Sequence, residues 1–202
     1  MPDEPPSGFL RLFLALAVPP AVGREIGRAQ SRLRRDAPPG TVRWIRPEQF
    51  HVTVKYLGDV PFTQTAALQD SLSAVCAACP ALWLSARGIG FFPNERKPRV
   101  IWVGVDDPAG CLADLHRRID RAMQPFCPAD PPGIFIGHVT LGRFKPGPPS
   151  VTPDFRKRVS QLRRGEFGAW PAGTVEVMRS ELTATGAVHS VLASFPLAQR
   201  LL

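Results

Sequence analysis

His51-Val52-Thr53-Val54-Lys55-Tyr56-Leu57-Gly58 is a β-branched, alternating run, and its opening returns later in the chain as His138-Val139-Thr140-Leu141. Such a run reads as a strand, in which successive side chains point to opposite faces. His51 and Thr53 therefore share one face, and Val52 and Val54 share the other. His138 and Thr140 stand against Val139 and Leu141 in the same way. Each copy presents an imidazole beside a hydroxyl and anchors itself with two aliphatics. The chain has four histidines, and two of them sit in these matching contexts.

The surroundings of the two copies also match. Before the first, the apolar strand Phe9 to Val18 meets Pro19-Pro20, and a helix follows with Val22, Ile26, Ala29 and Leu33 on one face. Before the second, the apolar strand Val100 to Val105 meets Asp106-Asp107-Pro108, which reads as a helix start with an acidic cap and Pro at the first position. Leu112, Leu115, Ile119 and Met123 line that second helix. Each histidine follows its proline at nearly the same distance, which predicts a duplicated architecture. Two lobes of antiparallel sheet, with helices outside, bring the two His faces together in a cleft. The fold class is α+β.

The remaining elements read as a strand over Val42 to Ile45, a helix opened near Thr63 and stopped by Pro80, and a strand from Leu82 that continues past Gly88 to Phe92. A helix from Thr152-Pro153 and two final strands, Thr174 to Thr185 and Val188 to Leu197, complete the chain. Residues 1–8 are Pro-rich and polar and are expected to be a disordered tail, with residues 9–202 forming a single bilobal domain.

The 202 residues carry a net charge of +8, which points to a polyanionic partner, most often nucleic acid. Lysine occurs only at 55, 97, 145 and 157, so arginine supplies nearly all the positive charge. Cys76 and Cys79 have CxxC spacing, but no second pair or nearby His pair accompanies them, and Cys111 and Cys127 complete no usual zinc arrangement. The cysteines read as buried free thiols in a reducing cytosol. Phe9 to Val18 is too short to span a membrane and has acidic flanks unlike a signal peptide. The expectation is a cytoplasmic protein, monomeric by default, with no membrane partner.

Two imidazoles across a cleft suit a reaction that removes a proton at one end and delivers one at the other, because imidazole titrates near neutral pH. Phosphodiester cleavage has that need. Each Thr hydroxyl can hold a non-bridging phosphate oxygen, so the four side chains form a cradle for one phosphorus that requires no metal and no cofactor.

With these motifs in place, the sequence resembles the 2H phosphoesterases, named for two H-x-T/S-x motifs, and within them the RNA 2′,3′-cyclic phosphodiesterases, the LigT-like or 2′-5′ RNA ligase family. Phe9-Leu10-Arg11-Leu12-Phe13-Leu14-Ala15, Val42-Arg43-Trp44-Ile45-Arg46-Pro47-Glu48, Lys55-Tyr56-Leu57-Gly58, Pro98 to Val105 and Arg179-Ser180-Glu181-Leu182 all fit. The resemblance implies a bilobal fold with two antiparallel sheets about a cleft. It also implies hydrolysis of an RNA terminal 2′,3′-cyclic phosphate to a 2′-phosphate, and a reverse sense in which 2′-5′ linkages are made or broken. Carried over by motif, His51 would donate a proton to the leaving 3′ oxygen and His138 would activate water. Thr53 and Thr140 would hold phosphate oxygens.

One departure affects the expected site. Many relatives carry Arg-Pro before the second His, whereas this chain has Ile136-Gly137. Lys55, on the His51 face if its strand is regular, and Arg143, which needs a bulge to reach the His138 face, are the candidate substitutes for that cation. His116 and His189 are expected at the surface, and Trp44, Tyr56 and Phe92 in the core. Alternative functions are a 2H enzyme acting on small cyclic nucleotides or 2′-5′ oligonucleotides, and a non-catalytic RNA-binding module. The expected partner is RNA ending in a 2′,3′-cyclic phosphate, tRNA-like or oligonucleotide.

Overall fold

The computed structural model describes residues 8–129, 134–147, 151–183 and 186–199. The strands are β1 (Phe9–Ala17), β2 (Val42–Trp44), β3 (His51–Pro61), β4 (Leu82–Phe92), β5 (Val100–Asp106), β6 (His138–Phe144), β7 (Glu166–Ala172), β8 (Thr174–Thr183) and β9 (Gly186–Pro196). The helices are α1 (Pro20–Asp36), α2 (Thr65–Ala77), α3 (Cys111–Met123) and α4 (Pro153–Leu162).

The strands form one curled antiparallel sheet in the order β7-β4-β5-β6-β3-β1-β8-β9, with β2 alongside β6. Its two halves mirror the repeat read from the sequence. Outward from the middle, β3 is followed by β1, β8 and β9, and β6 by β5, β4 and β7. The halves meet where β3 and β6 share the pair Val52↔Val139. The two antiparallel sheets expected from the sequence are thus joined edge to edge at the two histidine strands.

The helices cross over between halves. α3, which follows β5 in the chain, packs on β3, and α1, which follows β1, packs on β7. α2 joins α3 over one half, and α4 joins α1 over the other. This exchange interlocks the halves and closes one apolar core beneath the seam.

Local sequence explains the elements that carry the site. In β1, Leu12 to Leu16 are continuously buried, as a central strand covered on both faces requires. In α1, Val22, Ile26, Ala29 and Leu33 face inward while Arg24, Arg28, Arg32 and Arg35 are exposed. The helix begins at Pro20, where a missing N–H costs nothing.

Three sequence expectations are corrected. α3 begins at Cys111 rather than at Pro108, because Gly110 takes a left-handed φ of 71° and the chain turns there. Asp107 still caps the helix from outside its first turn, accepting from Leu112 N at 2.7 Å. β7 escapes a sequence reading because Pro171 lies within it, and an edge strand is where a sheet tolerates proline. Cys111 is only partly buried; Cys76 and Cys79 pack in the core as free thiols, and Cys127 is buried there with its Sγ donating to Met123 O at 3.4 Å. Burial pushes the Cys76 thiol up to about 12, so it has little thiolate character to offer a metal or a disulfide.

Of the expected N-terminal tail, residues 1–7 lie outside the described residues. Gly8 is held, its carbonyl accepting from Phe62 N at 2.9 Å. Among the described residues, no helix is long and apolar enough to cross a membrane.

Candidate active site

The two motifs meet at the seam. With Val52 paired to Val139, continuing the antiparallel register by one residue each way sets His51 opposite Thr140 and Thr53 opposite His138. The two imidazoles therefore lie on one diagonal of a four-residue patch and the two hydroxyls on the other. Beneath the patch, Val52, Val139 and Leu141 are fully buried and Val54 nearly so, which fixes both strands to the core.

Both imidazoles are oriented by the same device. His51 Nδ1 is 2.7 Å from the carbonyl of Gln49, and His138 Nδ1 is 2.8 Å from that of Ile136, each two residues back along the chain. A carbonyl only accepts, so Nδ1 carries the hydrogen and Nε2 is left with a lone pair. Phe13 and His189 flank the His51 ring at 5.0 and 5.7 Å between centroids. Phe92 and Trp102 flank His138 at 4.9 and 6.0 Å. Gly90 makes the second wall possible, since a Cβ there would lie 2.1 Å from the Trp102 ring.

Both imidazoles favour the neutral form. Burial lowers the His51 pKa to about 4, helped by neighbouring His189, His138 and Arg143 and opposed by the bond to Gln49. His138 is lowered in the same direction, again mainly by burial, with Arg143 adding to it.

Each histidine strand carries a bulge directly after its threonine. In β3 the register against β1 slips between Thr53 and Lys55; in β6 the register against β5 slips between Thr140 and Gly142. Two consecutive residues then face the core in each strand, Val54-Lys55 and Leu141-Gly142, and the next residue returns to the cleft side. That next residue is Tyr56 in one strand and Arg143 in the other, and both line the cleft.

The carbonyls at the two bulges are satisfied by side chains from the crossed-over helices. His116 Nδ1 on α3 donates to Val54 O at 2.9 Å, and Gln30 Nε2 on α1 donates to Leu141 O at 2.9 Å. Leu141 O also accepts from Ile45 N at 2.8 Å, so β2 and α1 together hold the second bulge, while His116 ties the first to α3.

The bulges decide the two cation candidates. Lys55 does not face the cleft. It is 1% exposed on the opposite side of the sheet, where its Nζ binds Asp120 Oδ1 on α3 at 2.6 Å and the Pro128 carbonyl at 3.1 Å. The sequence expectation of a phosphate contact from Lys55 is therefore corrected. Arg143 is exposed and lines the cleft with Thr53, Thr140 and His51.

Gly137 cannot be replaced by the Pro of relatives without rearrangement. A Cβ there would meet Leu112 Cδ2 and Val105 O, each at 2.8 Å.

The cleft is about 530 Å³ in volume. Four arginines line it, Arg11, Arg43, Arg46 and Arg143, and no carboxylate does so among the described residues. Trp44 and Tyr56 contribute aromatic surface, and Arg11 donates to the Tyr56 hydroxyl. His189, expected at the surface, instead forms part of the wall beside His51, and its Nδ1 is buried without a partner among the described residues. His116, also expected at the surface, is half-buried and stacks on Phe135 at 4.2 Å. Sequence reading missed Arg11, Arg43, Arg46 and His189 as cleft residues: Arg11 and His189 lie far along the chain from His51, and Arg43 and Arg46 enter the cleft because β2 pairs with β6, a pairing no local signal announces.

Known proteins resemble this chain in sequence and fold. A family model described as LigT-like phosphoesterase matches residues 16–102. An RNA 2′,3′-cyclic phosphodiesterase of Thermus thermophilus is 31% identical over 199 residues, covering 93% of this chain and 90% of that protein. A protein of the same name from Methanothermobacter thermautotrophicus is 29% identical, covering 93% and 99%. Among solved structures, a protein of Thermus thermophilus superposes with a TM-score of 0.76 at 26% identity over 95% of this chain and 100% of its own. E. coli LigT complexed with 3′-AMP superposes with a TM-score of 0.74 at 20% identity over 95% and 99%, a likeness of fold. With paired His-x-Thr strands meeting across one curled antiparallel sheet, and with a relative of this identity over nearly its whole length, the chain belongs to the LigT-like phosphoesterases of the 2H type.

Proposed function

We propose that this chain hydrolyses the 2′,3′-cyclic phosphate at the 3′ end of an RNA to a 2′-phosphate, using His51 and His138 as its acid–base pair and no metal ion. The observation that carries the reading is the matched pair of imidazoles, each tied through Nδ1 to a backbone carbonyl: His51 lines a cleft with four arginines and no carboxylate among the described residues, and His138 lies diagonal to it across the seam. The relatives named above as RNA 2′,3′-cyclic phosphodiesterases support the same substrate.

The cyclic phosphate is a monoanion. Thr53 and Thr140 donate to its non-bridging oxygens, and Arg143 supplies the adjacent positive charge. His138 Nε2 takes a proton from water as the water oxygen attacks phosphorus. The bond from phosphorus to the 3′ oxygen breaks, and His51 gives its Nε2 proton to that oxygen. The net addition is one water, with the 2′ ester retained. With the 5′-hydroxyl of a second RNA in place of water, the same steps give a 2′-5′ linkage; run backwards, the pair exchanges roles and the 3′-hydroxyl cleaves that linkage, releasing the 5′-hydroxyl and restoring the cyclic phosphate.

The acid must hold a proton that the empty cleft disfavours, since burial keeps His51 neutral. Binding of the substrate anion beside the ring reverses that preference, because an opposite charge within a few ångström favours the imidazolium. The proton is thus taken up with the substrate.

Incubation of the protein with an RNA ending in 2′,3′-cyclic phosphate, in EDTA, tests the reading. The expected product is the 2′-phosphate, at a rate unchanged by chelation and lost in His51→Ala and His138→Ala. Intact substrate after incubation with wild type overturns the function, and loss of activity in EDTA overturns the metal-free mechanism.

A further inference from the structure

Arg143 lines a second depression as well as the cleft. This groove, about 970 Å³, runs between the chain before β5 and the chain after β6, with Lys97, Arg99, Arg143 and Lys145 along it. Its floor is apolar, from Pro98, Val100 and Phe144. Backbone pairing fixes the two banks together: Val100 is in register with Arg143, and Phe144 N donates to Arg99 O at 2.9 Å. On the cleft side Arg143 is in register with Arg43 of β2, so positive charge continues from cleft to groove without a break.

We propose that this groove carries the RNA strand on the 5′ side of the reacting end, so that the substrate is a single-stranded oligonucleotide rather than a mononucleotide. The inference rests on the proposed cyclic phosphodiesterase reading. A 2′,3′-cyclic phosphate is at a 3′ end, so every other phosphate of the substrate lies on its 5′ side and must leave the cleft by one exit.

Three observations select this exit. No carboxylate lines the groove among the described residues. Lys97, Arg99, Arg143 and Lys145 form no ion pairs among the described residues, whereas Arg28, Arg87, Arg118, Arg158 and Arg163 do. Two of the chain's four lysines are here, and a third, Lys55, is buried. The exposed arginines of α1 form the rival surface, but Glu48 sits in the groove beside them and Glu25 pairs with Arg28. Unpaired cations along an apolar floor are the combination that holds single strands, with charge following the backbone and bases resting on apolar surface.

Lys97, Arg99 and Lys145 are exposed, so their substitution leaves the core intact. The test compares wild type with the variant K97E/R99E/K145E on two substrates, a nucleoside 2′,3′-cyclic phosphate and a short single-stranded RNA ending in the same group. The variant is expected to keep wild-type kcat/KM on the mononucleotide and to lose the wild-type advantage on the oligonucleotide. Three phosphate contacts on a single strand make wild-type kcat/KM on the oligonucleotide fall about 20-fold more than on the mononucleotide between 50 and 200 mM salt. The variant loses that excess. The neutral variant K97Q/R99Q/K145Q shows the same loss in smaller degree and decides the matter should charge reversal disturb mononucleotide turnover. Equal oligonucleotide rates and salt slopes in wild type and variants overturn the groove alone. A wild type that cleaves neither substrate overturns the functional reading beneath it.

Discussion

β3 and β6 have the same backbone and different chemistry. Both present His-x-Thr to the cleft, both tie the imidazole to a carbonyl two residues back, and both bulge immediately after the threonine. They then diverge. The residue the bulge sends inward is Lys55 in β3, bound to Asp120, and Gly142 in β6, where a Cβ would lie 2.6 Å from Val42 Cγ1 and block β2. The residue returned to the cleft is a neutral phenol in one strand and a guanidinium in the other. The shared geometry sets up a symmetric acid–base pair, and the residues after the bulge make the site unsymmetric, with positive charge concentrated beside β6. A duplicated frame can thus keep its catalytic positions and differentiate in the residues next to them.

The first way to break this comparison is to remove the symmetric parts. His51→Ala and His138→Ala are each expected to lower kcat about 10²- to 10⁴-fold. The double variant should be little worse than the poorer single one, because the pair acts as a unit. Additive losses, measured by single-turnover kinetics, would mean that the two rings work independently.

The residues after the bulge come next. Arg143→Gln should lower kcat/KM about 10²-fold while leaving the melting temperature unchanged, since its side chain is exposed. Lys55→Met should do the reverse. It leaves Asp120 without its buried cation and is expected to cost about 2 kcal/mol, less than a fully buried pair because Asp120 is 21% exposed, with kcat/KM nearly unaltered. Denaturant unfolding and steady-state rates on the same samples separate the two. A Lys55 variant that keeps its stability and loses activity would contradict the bulge.

The last comparison leaves activity aside and concerns stability against pH. The His51 pKa is about 4 folded against about 6.5 unfolded, so the unfolded chain binds the extra proton as pH falls between those values. Wild type should therefore lose about 2–3 kcal/mol relative to His51→Gln on going from pH 6.5 to 4, with the difference levelling off about one pH unit lower. Inorganic phosphate, bound in the cleft, should reduce that difference by favouring the imidazolium. Parallel stability curves for the two proteins would place the His51 pKa near its ordinary value.

Much of this site is legible in the chain. The repeated His-Val-Thr, the β-branched alternation and the matching strand-Pro-helix lead-ins indicate two lobes and a shared cleft. The bulges are not legible, because they are set by how Thr53 and Lys55 pair with Ala15 and Leu14 across the sheet, and no local preference in Val54 or Lys55 announces them. Regular alternation therefore sends Lys55 to the cleft and Tyr56 to the core, the opposite of what is observed. The crossing of α1 and α3 between halves is invisible for the same reason. Amphipathic spacing shows that Val22, Ile26 and Leu33 face a sheet, and says nothing about which half supplies it. His189 reads as a surface residue because its neighbours Val188 and Ser190 give no sign that Phe13 and His51 close over it.

The indole of Trp102, set against His138 by the space at Gly90, gives the protein an optical indicator. An imidazolium quenches indole emission more strongly than a neutral ring, so Trp102 should dim as His138 gains a proton. With Trp44, Trp83 and Trp170 changed to phenylalanine, Trp102 is the one indole left, and its emission would follow the protonation of one half of the acid–base pair in real time, without label or chromogenic substrate.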